Sequence, residues 1–163
     1  MRLFFALWPP ADTARALAQW AGVVQRGSGG RVTAEDTIHL TLAFLGEAEL
    51  PKAALAASKV KGRAFEMKVD VAKYWKHNRI VWAGPDNMPS ALKVLVETLH
   101  GALREHGFVL EDRAFAAHVT LIRKANPPES IPPLPAVAWP AAEFALVRSA
   151  AGRYETVQRF PLR

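Results

Sequence analysis

The sequence predicts an α+β fold with helices packed outside largely antiparallel sheets. Three observations carry this expectation. Strand-like and helix-like segments follow one another in an order that is neither a regular βαβ alternation nor an all-β succession. One segment, 89–106, has the periodicity of a long amphipathic helix. Two strand-like segments in opposite halves of the chain carry the same pattern, His-x-Thr-x, at His39-Leu40-Thr41-Leu42 and His118-Val119-Thr120-Leu121. The spacing of these two patterns suggests two similar lobes facing one another. Beyond them, identity between the halves is weak.

The elements can be justified in order. Residues 2–8 are apolar and form a first strand. Asp12 is the expected N-cap of a helix to about Arg26, with Ala16, Leu17, Trp20, Val23 and Val24 at helical spacing. Gly27-Ser28-Gly29-Gly30 ends it. Residues 38–45 form the first motif strand, closed by Gly46. Pro51 suits the first turn of a helix over about 51–61. Residues 64–73 alternate and read as one strand, Tyr74 to Asn78 as a turn, and Arg79 to Ala83 as the next strand. The helix over 89–106 carries Leu92, Leu95, Val96, Leu99 and Leu103 on one face and stops at Gly107. The second motif strand spans 117–123. A proline-rich connector from Asn126 to Pro140 is expected to cross the surface. A terminal hairpin, 142–149 and 153–160, turns at Ala151-Gly152.

Length and composition bound the function. One domain is the default for 163 residues. No apolar run approaches the ~20 residues of a membrane helix, so no membrane partner is expected. The opening Met1-Arg2-Leu3-Phe4-Phe5-Ala6-Leu7-Trp8 stops at Pro9-Pro10 and reads as a strand, not a cleaved leader; a cytoplasmic location is the expectation. The absence of cysteine excludes disulfides, cysteine nucleophiles and thiolate metal sites. A formal charge of +6, from 21 Lys and Arg against 15 Asp and Glu, favours a polyanionic partner such as nucleic acid.

In each motif strand, His and Thr stand two residues apart and share a face. Histidine titrates near ~6.5, so two of them can act at once as base and acid. One, neutral, takes a proton from attacking water; the other, protonated, delivers one to a leaving oxygen. Phosphoryl transfer suits this arrangement, because nucleophile and leaving group lie in line on opposite sides of phosphorus. The hydroxyls of Thr41 and Thr120 can bind non-bridging phosphate oxygens, and Arg123 can add a guanidinium fork. No metal or other cofactor is required. Either histidine alone would read as a structural strand residue; the pair, with its threonines and Arg123, reads as a site. His39, His77, His100, His106 and His118 show no spacing that favours a metal site. His100 and His106 are expected on the surface of the long helix or its end, and His77 in a turn. No phosphate-binding glycine loop and no Gly-x-Ser-x-Gly elbow is present.

At these residues the chain resembles the two-histidine (2H) phosphoesterase superfamily. Within it the similarity is to the RNA 2′,3′-cyclic phosphodiesterases, also called 2′-5′ RNA ligases. The similarity covers nearly the whole chain, through Arg2-Leu3-Phe4-Phe5-Ala6-Leu7, His39-Leu40-Thr41-Leu42-Ala43-Phe44-Leu45-Gly46, Arg79-Ile80-Val81-Trp82-Ala83-Gly84 and His118-Val119-Thr120-Leu121-Ile122-Arg123. The first His block and the motif pair are specific; the other two segments are supportive. The resemblance implies a single bilobal domain over 1–163, with a motif strand of each lobe on the wall of a central cleft. It implies metal-independent opening of an RNA 2′,3′-cyclic phosphate to a 2′-phosphate, with His39 as proton donor and His118 as proton acceptor. It implies a phosphate held by Thr41, Thr120 and Arg123, and a base stacked on Phe44. A Phe three residues after Thr41 lies on the opposite face of a regular strand, so core packing of Phe44 competes with stacking. Tyr74, Lys76 and Arg79, with Trp75, form an aromatic and basic cluster suited to a single-stranded RNA end, against which stands ordinary hairpin packing. The expected partner is RNA ending in a 2′,3′-cyclic phosphate, tRNA fragments among the candidates, bound by a monomer. Competing readings are 2′-5′ ligation in the same site, action on small cyclic nucleotides or 2′-5′ oligonucleotides, and noncatalytic RNA binding.

Overall fold

The computed structural model describes residues 1–163. Its strands are β1 (Arg2–Leu7), β2 (Arg31–Val32), β3 (Leu40–Glu47), β4 (Phe65–Val69), β5 (Val71–Trp75), β6 (Ile80–Gly84), β7 (Val119–Arg123), β8 (Val137–Ala141), β9 (Glu143–Ala150) and β10 (Arg153–Pro161). Its helices are α1 (Ala11–Ser28), α2 (Leu50–Ser58) and α3 (Ser90–Glu105), with a 3-10 turn at Glu35–Thr37. The strands form a four-stranded sheet β10-β9-β1-β3, a second four-stranded sheet β2-β7-β6-β5, and the pair β4-β8. Every pairing is antiparallel.

Each four-stranded sheet carries one motif strand, β3 or β7. Helices α2 and α3 cover the first sheet, and α1 packs on β2, β7 and β8. The lobes are therefore not the two halves of the sequence. The chain leaves the first sheet after β1, places α1 and β2 on the second lobe, and returns for β3. Both N-terminal and C-terminal strands belong to the first sheet, where β1 pairs with β9. One core of 34 buried residues runs through both lobes, from Leu3, Phe5 and Leu7 to Val81, Leu121 and Ile122. A continuous core makes the two walls of any cleft between them one rigid unit.

Several sequence expectations are corrected. The single strand over 64–73 is two strands in different sheets. The chain pivots at Asp70, whose carboxylate accepts the backbone N–H of Asp86 while its own N–H donates to the Gly84 carbonyl. Tyr74 consequently lies in β5, not in a turn. The proline-rich connector contains β8. Thr13 and Trp20 of α1 donate side-chain hydrogen bonds to the carbonyls of Ala138 and Pro133, and Trp139 is fully buried. Pro140 is tolerated because the β4-β8 ladder has only two strands, so each has a free edge. Asp12 is not the N-cap; α1 starts after Pro10, and Asp12 accepts from the Thr13 N–H inside the first turn. The two-residue β2 and the 3-10 turn have no sequence signal of their own.

Both motif strands bulge at the same place. Ala6 pairs with Thr41 and Phe5 with Ala43, so Leu42 is an extra residue in β3. Trp82 pairs with Thr120 and Val81 with Ile122, so Leu121 is an extra residue in β7. Leu42-Ala43 and Leu121-Ile122 are accordingly buried as consecutive pairs. A bulge leaves its residue out of the ladder, and both bulged carbonyls have a partner elsewhere. His100 of α3 donates Nε2–H to the Leu42 carbonyl at 2.8 Å. The backbone N–H of Thr33 donates to the Leu121 carbonyl at 2.8 Å. His100 is thus a fixing residue of β3, not a surface histidine.

Replacing His100 with Leu strands the buried Leu42 carbonyl without a donor. The expected loss is about 1–3 kcal/mol of stability, read as a lowered urea midpoint at unchanged slope, with partial recovery in His100→Gln.

Candidate active site

The two histidines are held in the same way. Each precedes its motif strand by one residue instead of lying within it. His39 donates Nδ1–H to the Thr37 carbonyl at 2.7 Å, and His118 donates Nδ1–H to the Ala116 carbonyl at 2.9 Å. A carbonyl only accepts, so this bond fixes the tautomer and leaves Nε2 as the exchanging nitrogen in both rings. His39 Nε2 lies 3.1 Å from Thr41 Oγ1.

His39, Thr41, His118, Thr120 and Arg123 line one cleft of about 570 Å³, a size suited to a small ligand or one end of a larger one. Arg123 reaches this face only because of the bulge at Leu121. Without it, a residue three places after Thr120 would face the other way. Arg31, Thr33, Thr37, Ile80 and Tyr154 complete much of the wall. The lining contains two arginines and two histidines but no carboxylate. Neither Arg31 nor Arg123 has an ion-pair partner within the chain. The cleft is therefore an anion site by composition. No three His, Asp or Glu side chains converge anywhere to hold a metal ion.

The histidines differ in surroundings. His39 sits among the rings of Phe4, Trp8 and Tyr154, with centroids 5.1, 5.6 and 5.4 Å away. Burial pushes its pKa below the usual imidazole value; the Thr37 carbonyl opposes this, and the charges of Arg123 and His118 push further down. His118 meets the edge of Trp75 at 4.8 Å, and Trp82 lies 6.3 Å away.

The remaining sequence candidates stand elsewhere. The bulge at Leu42 turns Phe44 to the same face as Thr41, opposite to where a regular strand would put it. Phe44 pairs with Phe4 across β1 and is 58% exposed, with the Arg2 guanidinium 5.4 Å from its ring centre. It stands on the rim of that face, outside the residues that line the cleft. Tyr74 donates its hydroxyl to the Ala125 carbonyl, and Arg79 donates to the carbonyls of Lys124 and Ala125 and to Asn126 Oδ1. Both therefore hold the segment after β7. Lys76 is exposed in the β5–β6 turn, away from the cleft lining. Arg31 and Tyr154 are not among the candidates that the sequence offers. Arg31 lies in a two-residue strand and Tyr154 in the terminal hairpin, and no local pattern marks either as part of a site.

Comparison with known proteins gives a consistent picture. Residues 7–82 match the family model described as LigT like Phosphoesterase. The RNA 2′,3′-cyclic phosphodiesterase of Escherichia coli is 37% identical over 160 residues, covering 95% of this chain and 90% of that protein. The Thermus thermophilus protein of the same name is 31% identical over 184 residues, covering 100% of this chain and 91% of its own. The crystal structure of E. coli LigT complexed with 3′-AMP superposes with a TM-score of 0.89 at 33% identity. The superposition covers 99% of this chain and 97% of the other.

The electrostatics of the cleft predict proton uptake on anion binding. Burial and cationic neighbours lower the pKa of free His39, and a bound oxyanion favours its cation and acts in the opposite direction. Calorimetry of sulfate binding at about pH 6.5, in two buffers of different ionisation enthalpy, should show net proton uptake that His39→Gln reduces. Equal apparent enthalpies in both buffers would contradict it.

Proposed function

This chain belongs to the LigT-like phosphoesterase family, and from that premise we propose that it opens 2′,3′-cyclic phosphates at RNA ends to 2′-phosphomonoesters. The observation that carries the reading is the matched pair of tethered histidines. Each is tethered through Nδ1, so that Nε2 is the nitrogen left for proton transfer; His39 Nε2 meets the Thr41 hydroxyl, each has a threonine two residues on, and both border one cleft that holds cations and no carboxylate.

His118 is the base. Its neutral Nε2 takes a proton from water as the water oxygen bonds to phosphorus. His39 is the acid. Its Nε2–H protonates the 3′ oxygen as the P–O3′ bond breaks, leaving a 2′-phosphate and a free 3′ hydroxyl. Turnover leaves His118 charged and His39 neutral, and exchange with solvent restores both. Thr41, Thr120 and Arg123 hold the non-bridging oxygens, whose charge grows as water adds. The substrate's own phosphate supplies the negative charge that His39 needs to be protonated. The assignment of acid to His39 and base to His118 follows the family resemblance. Both proton transfers run through imidazoles and the phosphate charge is met by Arg123 and the threonine hydroxyls, which supports a reaction without a metal. The protein works as a cytoplasmic monomer, with Phe44 stacked on the terminal base and tRNA fragments among its substrates. Lys76, exposed in its turn, adds positive charge towards the RNA; Tyr74 and Arg79 support the 124–126 segment.

The test is hydrolysis of an oligonucleotide ending in a 2′,3′-cyclic phosphate, with the product identified by chromatography against 2′- and 3′-phosphate standards. The 2′-phosphate is expected. His39→Ala and His118→Ala should each lower the rate at least ~100-fold, the scale of a lost general acid or base. Near-wild-type activity in either variant rules out the mechanism. Activity should persist in excess chelator, and a loss that added zinc restores would point to a metal reaction instead.

A further inference from the structure

Arg31 and Arg123 are cross-strand partners on β2 and β7, so their Cα atoms stand about 5 Å apart and their side chains share the cleft face. The approach is tight: a Cβ on Gly30, the residue before β2, would lie 2.6 Å from the Arg123 carbonyl oxygen. Like charges directly opposite one another destabilise a ladder. Neither guanidinium has a hydrogen-bonded or ionic partner within the chain to relieve this one. A 2′,3′-cyclic phosphate carries a single negative charge, and its oxygens are served by Thr41, Thr120, Arg123 and the histidine pair. Arg31 is one strand further out than that group and level with Arg123, three residues beyond Thr120. It is a cation in excess of what one phosphate requires.

We propose that Arg31 binds a second phosphate, the phosphodiester linking the terminal nucleotide of the substrate to its 5′ neighbour. This inference rests on the reaction proposed above and names its substrate class. The enzyme distinguishes an RNA end from a free cyclic mononucleotide, and Arg31 is the residue that does so. With an anion on each guanidinium, the cross-strand repulsion is removed and the RNA backbone is led across the β2 edge.

The experiment compares adenosine 2′,3′-cyclic phosphate with a dinucleotide ending in the same group, using wild type and Arg31→Gln. Arg31 is exposed, so the variant should fold. Loss of a charge-assisted hydrogen bond corresponds to roughly 10-fold or more. The variant should therefore lose at least ~10-fold in kcat/KM on the dinucleotide and markedly less on the mononucleotide. A dinucleotide whose linking phosphate is a neutral methylphosphonate should behave in wild type much as the normal dinucleotide does in the variant. Arg123→Gln should affect all three substrates. If the loss on the dinucleotide is less than about three times the loss on the mononucleotide, the second-phosphate role is overturned. Wild type that hydrolyses neither compound would overturn the proposed reaction and this inference together, an outcome distinct from active wild type with an unselective variant.

Discussion

In a regular strand Thr41 and Phe44 would face opposite ways, and so would Thr120 and Arg123. The extra residue at Leu42 and at Leu121 reverses the alternation midway along each motif strand. It keeps the threonine on the cleft face, sinks two consecutive apolar side chains into the core, and returns the next residue to the cleft side. The same device thus carries an aromatic ring at the corresponding position of one lobe and a guanidinium in the other. A bulge costs ladder hydrogen bonds. The molecule recovers one at each bulged carbonyl, with His100 from a packed helix on one side and the Thr33 N–H, just past the edge strand β2, on the other. Much of the site's geometry depends on these two carbonyls being satisfied.

The histidines show how equal tethers can give unequal chemistry. Both rings are oriented by a bond from Nδ1 to the carbonyl two residues back, so their working nitrogens and tautomers match. Their surroundings do not. His39 is desolvated among three aromatic rings and faces cationic neighbours, which favours its neutral form in the free protein. An anion placed between the walls would act against that preference. Differences between paired acid–base groups arise from burial and neighbours more than from residue type.

The topology explains why the walls hold their spacing. Because β1 and the C-terminal hairpin share a sheet, while α1 and β2 cross to the other lobe, the chain passes between lobes repeatedly. One continuous core then lies behind both motif strands. Rigid walls suit a reaction in which two proton-transfer groups must lie on opposite sides of one phosphorus atom, since a displacement of about 1 Å is costly in rate. The edge strand β2 adds a function to this scaffold. It places Arg31 beside Arg123, and Thr33, the residue after it, supplies the donor to the bulged Leu121 carbonyl.

By itself the sequence determined the α+β class, most helices and strands, and the His39/Thr41 and His118/Thr120 pairs. All of these follow from local periodicity and from residue types whose chemistry is independent of context. Only the tertiary structure decided which way Phe44 and Arg123 face, because a bulge is a mismatch between two strands and leaves no trace in either one. It also decided that 64–73 divides at Asp70, that the proline-rich connector yields β8, that Tyr74 and Arg79 are committed to the 124–126 segment, and that Arg31 and Tyr154 reach the cleft. Each of these is set by a partner distant in the chain. Hydrophobic spacing reports which face a residue prefers, whereas register, crossing and hydrogen-bond partners are fixed only when the remote strand is in place.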